Sequence, residues 1–293
     1  MTDSVVPFVY YSDLDHSLFQ SLSSDSRGEH PMTEDSKGQV QGYAREDQHQ
    51  LFNQMINSGI VIPVTARSHE QMERVTGWVT GKEYDLALTD LGASLLVRDN
   101  NGDGQWHAVE RWHDEYLPLV QGNIRRLTKD YELIDTWIRD ADLVGKVSID
   151  LIQLGKLHLP LYIVLSVAKD DPEQMQQLQT LCRKRFAETV ARATGAYVLH
   201  ESENTVCLWP TYVSKGAAVK RLKTALVEGL GDSRFDRARD FLSIKKSVNI
   251  TIGDSITDLE FMQHGDFMMA PVNSRIAQSA FSLAEREMDK EKL

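Results

Sequence analysis

The chain has 293 residues, 41% of them hydrophobic, which is enough for a full core and a second domain. Its 32 basic and 43 acidic residues leave a net charge of -11, which argues against a general nucleic-acid or membrane-surface binder, since either needs a basic patch. Cys182 and Cys207 have no CxxC spacing, no apolar stretch reaches membrane length, and Asp3 stands where a leader would be basic, so reduced thiols and a cytoplasmic location are expected.

The apolar run from Val5 to Tyr11 stops at Ser12-Asp13-Leu14-Asp15-His16-Ser17. Apolar residues without polar alternation predict a strand buried on both faces of a parallel sheet, and it would deliver Asp13 and Asp15 to its carboxyl end, where open α/β sheets bind ligands. A tight bend there can bring both acids round one pocket, one to attack and one to move a proton. Taken alone, the pair reads more simply as the cap of a turn or helix.

Residues 20 to 47 are rich in Ser, Asp, Glu, Gly and Gln and read as a long surface loop, a tolerated insertion in preference to a mobile flap. A helix is predicted from Glu46 to Asn57, with Leu51, Phe52 and Met55 on one face and Gly59 beyond its end. The next apolar run, Gly59 to Val64, ends at Thr65, whose hydroxyl and neighbouring amides suit a phosphate oxygen or else a helix cap. Ser68 reads as the cap of a helix starting near His69, with Gln71 completing a capping box. A third buried strand, Leu86 to Thr89, ends at Asp90.

From about Ser94 the texture changes. The turn-rich stretch 99 to 104 predicts an antiparallel hairpin, followed by a helical region from His113 to Ala141 and a strand from Leu159 to Val167. A helix from Pro172 to Ala193, with Met175, Leu178, Leu181 and Cys182 on one face, precedes two short strands, Ala196 to His200 and Thr205 to Trp209. This mixture predicts an α+β domain inserted between two halves of the first domain and able to act as a lid.

Ser214 can cap a helix carrying Lys215 in its first turn, where a cation opposes the helix dipole unless an anion lies close. The plain alternative is a solvated lysine. The apolar run from Val248 to Ile252 ends in Gly253-Asp254-Ser255-Ile256-Thr257-Asp258, two carboxylates that can face one point and suit Mg2+, or that cap and solubilise the following helix. A last strand from Phe267 to Val272 ends at Asn273, and a charged helix from Ala277 to Lys292 reads as a solvated cover.

The order Asp13-Leu14-Asp15, Thr65, Lys215 and Gly253-Asp254-Ser255-Ile256-Thr257-Asp258 resembles the haloacid dehalogenase superfamily of phosphohydrolases. The insertion resembles the C2 type of cap shared by sucrose-phosphatase-like and Cof-type members, and Asp-Leu-Asp-His-Ser looks most like the sucrose-phosphatase branch. The resemblance implies an α/β, Rossmann-like core with a parallel sheet over residues 1–92 and 212–293, interrupted by an α+β cap over 93–211. It implies that Asp13 is a nucleophile forming an aspartyl phosphate and that Asp15 is the general acid and base. Mg2+ would be bound by Asp13, the Asp15 carbonyl, Asp254 and Asp258, and the phosphate by Thr65 and Lys215, with Asn273 orienting the lysine.

The implied substrate is a small phosphorylated metabolite, first a sugar phosphate and next a nucleotide or polyol phosphate, with no nucleic-acid or membrane partner. A phosphotransferase or phosphomutase with the same intermediate is the first alternative. A non-catalytic phosphometabolite sensor is the second, disfavoured by the retention of both Asp13 and Asp15. His16 departs from the glycine common in the superfamily; it is expected to fill space or bond a backbone group, with contact to a substrate or leaving group as the alternative. Arg98, Trp106, Trp112, Trp137 and Arg139 are candidates for sugar contacts, or else core and surface residues.

Overall fold

The computed structural model describes residues 7–168, 171–189, 197–202, 204–244 and 246–291. Asp3, Val5, Val6, Ala193, Ala196 and Lys292, which belong to sequence expectations, lie outside them. The chain divides into two compact units, Met1–His113 with Ser214–Leu293, and Asp114–Val213.

The first unit is built on a parallel sheet of β1 (Phe8–Ser12), β5 (Gly59–Pro63), β13 (Val248–Ile252) and β14 (Phe267–Met269), in the order β14-β13-β1-β5. Val9, Tyr11, Val61 and Ile62 are buried, as strands covered on both faces require. Register decides where the strands end: Ser12 lies opposite both Pro63 and Ile252, so Asp13, Val64 and Gly253 leave the sheet at one level. A parallel bridge between Val64 and Leu88 adds β6 (Tyr84–Thr89) beyond β5. The α/β class with a parallel sheet is thus the one expected.

Two expectations for this unit change. Residues 20 to 47 are not a loop; β2 (Gln20–Ser21), β3 (His30–Glu34) and β4 (Val40–Ala44) form an antiparallel sheet in the order β2-β4-β3. Met32 and Ala44 anchor it in a core with Phe19, Phe52 and Trp78, few enough apolar residues for the polar composition to hide them. Helix α1 (Glu46–Ser58) follows directly, and α2 (His69–Glu73) carries the expected Ser68–Gln71 capping box.

The hairpin expected to open the insertion at 93 lies instead in the first unit. β7 (Ser94–Asp99) pairs with β6 from Tyr84–Asp99 to Thr89–Ser94, and β8 (Trp106–Ala108) pairs with β7. Arg98 pins the pair, with Nη2 2.6 Å from Asp85 Oδ2 and its guanidinium 4.7 Å from the Trp106 ring centroid. The compact second unit accordingly starts at Asp114.

The second unit holds most of α3 (Glu110–Asp140), α4 (Pro172–Thr189) and an antiparallel sheet. Its strands are β9 (Val147–Leu154), β10 (Leu159–Val167), β11 (Tyr197–Glu201) and β12 (Thr205–Pro210), in the order β11-β12-β10-β9. Trp137, Leu165, Met175, Leu178, Cys182 and Phe186 share its core. β9 is an addition to the expected elements.

The first unit resumes with α5 (Lys215–Glu228) and α6 (Ser233–Leu242), and after β13 come α7 (Leu259–Met262) and α8 (Arg275–Glu291). Among the described residues no helix is long and apolar enough to cross a membrane.

Candidate active site

Asp13 follows β1 directly, and its N–H donates to Ile252 O at 2.8 Å, so its backbone is fixed by the neighbouring strand. The chain then bends sharply: the N–H groups of Leu18 and Phe19 both donate to Leu14 O, and the His16 N–H donates to Phe19 O at 2.7 Å. The bend puts His16 at φ 62, a left-handed conformation that histidine enters more readily than most residues with a side chain. Its ring is exposed rather than filling space, and it is the backbone N–H that makes the bond.

Lys215 supplies the link across the site. Ser214 caps α5, with Oγ accepting from the Ala217 N–H at 2.9 Å and donating to Glu260. The Lys215 ammonium donates to Asp13 Oδ1 and to Asp258 Oδ1, both at 2.7 Å. A cation at this helix end therefore has the anions it requires. Burial opposes its charge, but the two carboxylates outweigh burial and hold its pKa well above the ordinary lysine value.

The three acids differ. Burial pushes Asp13 well above the usual carboxylate range, opposed by Lys215 and reinforced by the neighbouring carboxylates. Burial also pushes Asp254 up, to about 6, with Asp258 adding to it. For Asp258 burial acts in the same direction, yet Lys215 and Ser255 outweigh it and lower the pKa. Its Oδ2 accepts from the N–H groups of Asp254 and Ser255 at 3.2 and 3.0 Å and from Ser255 Oγ at 2.9 Å. Asp258 thus caps its own turn and also faces the site.

Asp13, Asp254 and Asp258 each offer an oxygen within 4.8 Å of the others. One ammonium against three close carboxylates leaves negative charge uncompensated, and all three donors are hard oxygens. The cluster therefore fits a Mg2+-class ion.

At the end of β5, Thr65 is fixed by N–H donation to Leu88 O at 2.9 Å and by accepting the Leu91 N–H at 3.0 Å. Its Oγ1 accepts the Arg67 N–H at 3.1 Å, so the hydroxyl proton remains to donate to an anion. The Arg67 side chain pairs with Asp15, a contact across 52 residues that motif spacing does not reveal. Its only sequence signal is its place in the Thr65 loop. Asn273, expected to orient Lys215, is exposed, and its backbone carbonyl accepts from Gln278; the ammonium of Lys215 is held by Asp13 and Asp258.

The candidates for sugar contact resolve into structural roles. Arg98 and Trp106 belong to the hairpin, Trp112 is buried with Nε1 donating to Gly92 O, Trp137 packs edge-on to Phe186, and Arg139 pairs with Asp135.

No family model and no curated protein sequence matches the chain. Solved structures do. The C-terminal domain of trehalose-6-phosphate phosphatase from C. albicans matches at 15% identity and a TM-score of 0.50, over 88% of this chain and 73% of that one. IMP-nucleotidase from Plasmodium falciparum matches at 12% identity and a TM-score of 0.54, over 92% of this chain and 59% of that one. At such identities the likeness is one of fold.

Proposed function

We propose that this chain, whose fold is that of the haloacid dehalogenase phosphatases, is a Mg2+-dependent phosphatase of small phosphomonoesters, sugar phosphates foremost. The observation that carries the reading is the meeting of Asp13, Lys215 and Asp258, with Lys215 2.7 Å from both carboxylates. A nucleophile, a phosphate-binding cation and metal ligands would then share one edge of the sheet. Further support comes from the two fold neighbours, one named for trehalose-6-phosphate and one for IMP, both small phosphomonoesters.

In this reading the Asp13 carboxylate attacks phosphorus while the bond to the leaving oxygen breaks and Asp15 gives that oxygen a proton. Water then attacks the aspartyl phosphate and loses a proton to Asp15; inorganic phosphate leaves and Asp13 is restored. The Thr65 hydroxyl and the Lys215 ammonium hold the phosphoryl oxygens as charge shifts among them. Mg2+ held by Asp13, Asp254 and Asp258 supplies positive charge that lowers the repulsion between carboxylate and phosphate. Asp15 is paired with Arg67 as a carboxylate, the form that accepts a proton, so its acid step requires that pair to loosen.

The test is phosphate release from a panel of sugar phosphates, nucleotides, polyol phosphates and an aryl phosphate, with and without Mg2+, by the native chain and Asp13→Asn. Mg2+-dependent release that vanishes in the variant is expected. Equal release by both proteins, or none from any compound by the folded native chain, would overturn the reading.

A further inference from the structure

Apart from the aspartates, one further set of described side chains can converge on a metal ion. His30, Glu46 and His49 each offer a ligand atom, all within 4.8 Å of one another. We propose that these three residues form a second, separate metal site for a Zn2+-class ion, which ties strand β3 to helix α1. It involves none of the site residues assigned above and stands independently of the phosphatase reading.

The ligands come from fixed elements. Glu46 and His49 are three apart in the first turn of α1, a spacing that puts a carboxylate and an imidazole on one helix face and recurs in Glu-x-x-His metal sites. That turn is held by a capping box, in which the Arg45 N–H donates to Gln48 Oε1 at 3.0 Å. His30 is set by strand pairing opposite Ala44, and the Glu29 N–H donates to Ala44 O at 3.0 Å. Because Ala44 precedes Glu46 by two residues, the same short segment positions both halves of the site.

The three side chains already lie side by side. The His30 and His49 rings stack with centroids 3.9 Å apart and planes at 15°, and His30 Nε2 lies 2.6 Å from Glu46 Oε2. Gln50 Nε2 donates to Glu46 Oε1 at 2.6 Å, which orients the carboxylate and leaves Oε2 for the imidazoles. The Asn53 amide lies 3.4 Å from His49 Nε2, a second polar group near the ring. Such outer contacts are the kind that fix ligand orientation at metal sites.

Two imidazoles and one carboxylate select against Mg2+, which takes oxygen ligands, and for Zn2+ or its neighbours, with water completing four-coordination. Tetrahedral Zn2+ holds its ligand atoms about 3.3 Å apart, so these partly exposed side chains must close by up to about 1.5 Å, and the two stacked rings must turn so that one nitrogen of each meets the ion. The consequence is a clamp on the small sheet of residues 20 to 44. Its edge would be fastened to the helix by the ion as well as by its few buried apolar residues.

The test uses the full chain in excess Mg2+, which occupies the aspartate cluster without competing for imidazole. Zn2+ binding is measured by calorimetry and by metal analysis after dialysis, and Co2+ by its visible absorption. One bound Zn2+ per chain is expected, with a tetrahedral Co2+ spectrum and a raised melting temperature. Affinity should fall at least tenfold in His30→Gln and in His49→Gln, and stay unchanged in Asp254→Asn. Melting without Zn2+ shows whether each variant is folded, and Glu46→Gln serves where one is not. No bound Zn2+ in the native chain, loss in Asp254→Asn, or unchanged binding in the folded histidine variants would overturn the site.

Discussion

Arg67 clasps Asp15 at both carboxylate oxygens, Nε to Oδ2 at 2.8 Å and Nη2 to Oδ1 at 2.7 Å. The guanidinium is itself braced, 5.2 Å from the centroid of the Phe19 ring. Desolvation pushes Asp15 up, but the charge and hydrogen bonds of Arg67 outweigh it and hold the carboxyl below its ordinary range. Removing the guanidinium must therefore raise the Asp15 pKa. In Arg67→Met, the limb of the pH profile set by Asp15 is expected to move to higher pH. Initial rates from pH 4 to 9 with one substrate check this; an unmoved limb would mean that another group sets it.

Lys215 is the shared counterion of two buried carboxylates, and deleting it leaves both without their cation. Breaking a buried ion pair from one side costs about 3–5 kcal/mol, so Lys215→Met should melt well below the native chain. Mg2+ should raise the melting temperature of this variant more than that of the native protein, because it replaces the missing positive charge at the same oxygens. Melting curves of both proteins with Mg2+ and with EDTA provide the comparison.

Asp90 carries a different stability consequence. Its side chain is fully buried, Oδ1 has no hydrogen-bond partner, and burial pushes its pKa to about 7 from an ordinary 3.8. The folded chain thus holds this proton more tightly than the unfolded chain does. Its contribution is fully present below about pH 4, is lost as pH rises to about 7, and is flat above; its size is on the order of 4 kcal/mol. Asp90→Asn keeps the shape, accepts the positive φ of 52 and has no charge to bury. Urea denaturation should find the variant more stable than native at pH 8 and close to it at pH 4.5.

Gly92 has φ 91, and a Cβ there would lie 2.3 Å from Ala218 Cβ. Backbone strain and overpacking act together, so Gly92→Ala should lose about 2–4 kcal/mol. Adding Ala218→Gly should recover the packing part and leave the backbone part. A double-mutant cycle in urea separates the two.

What could be read from the chain alone was the set of strand ends. Buried parallel strands have unbroken apolar runs, so Asp13, Thr65 and Asp254 stand out where the runs stop, and the register of β1 with β5 and β13 brings those ends to one level. Lys215 and Asp258 became visible through local reasoning about helix ends. Arg67 did not, because its partner is distant in sequence and its loop contains no periodic pattern. The β2-β4-β3 sheet was hidden because only Met32 and Ala44 of its residues join the main core cluster. β9 was hidden because six of its eight residues are only partly buried or exposed in mixed order, which blurs a two-residue period. Trp106, Trp112 and Trp137 attracted attention for their chemistry, yet their size is what places them in cores.

β1 pairs with β5 on one side and with β13 on the other, and β13 lies more than half the chain away. During synthesis β1 can find β5 early, but its other edge stays open until the whole second unit has been made. The growing chain therefore carries an unpaired apolar strand edge beside Asp13 for most of its elongation, a surface open to wrong partners. A ribosome-bound fragment ending before Val248 would need shielding that the finished protein does not. The cluster around Lys215 is among the last features to assemble.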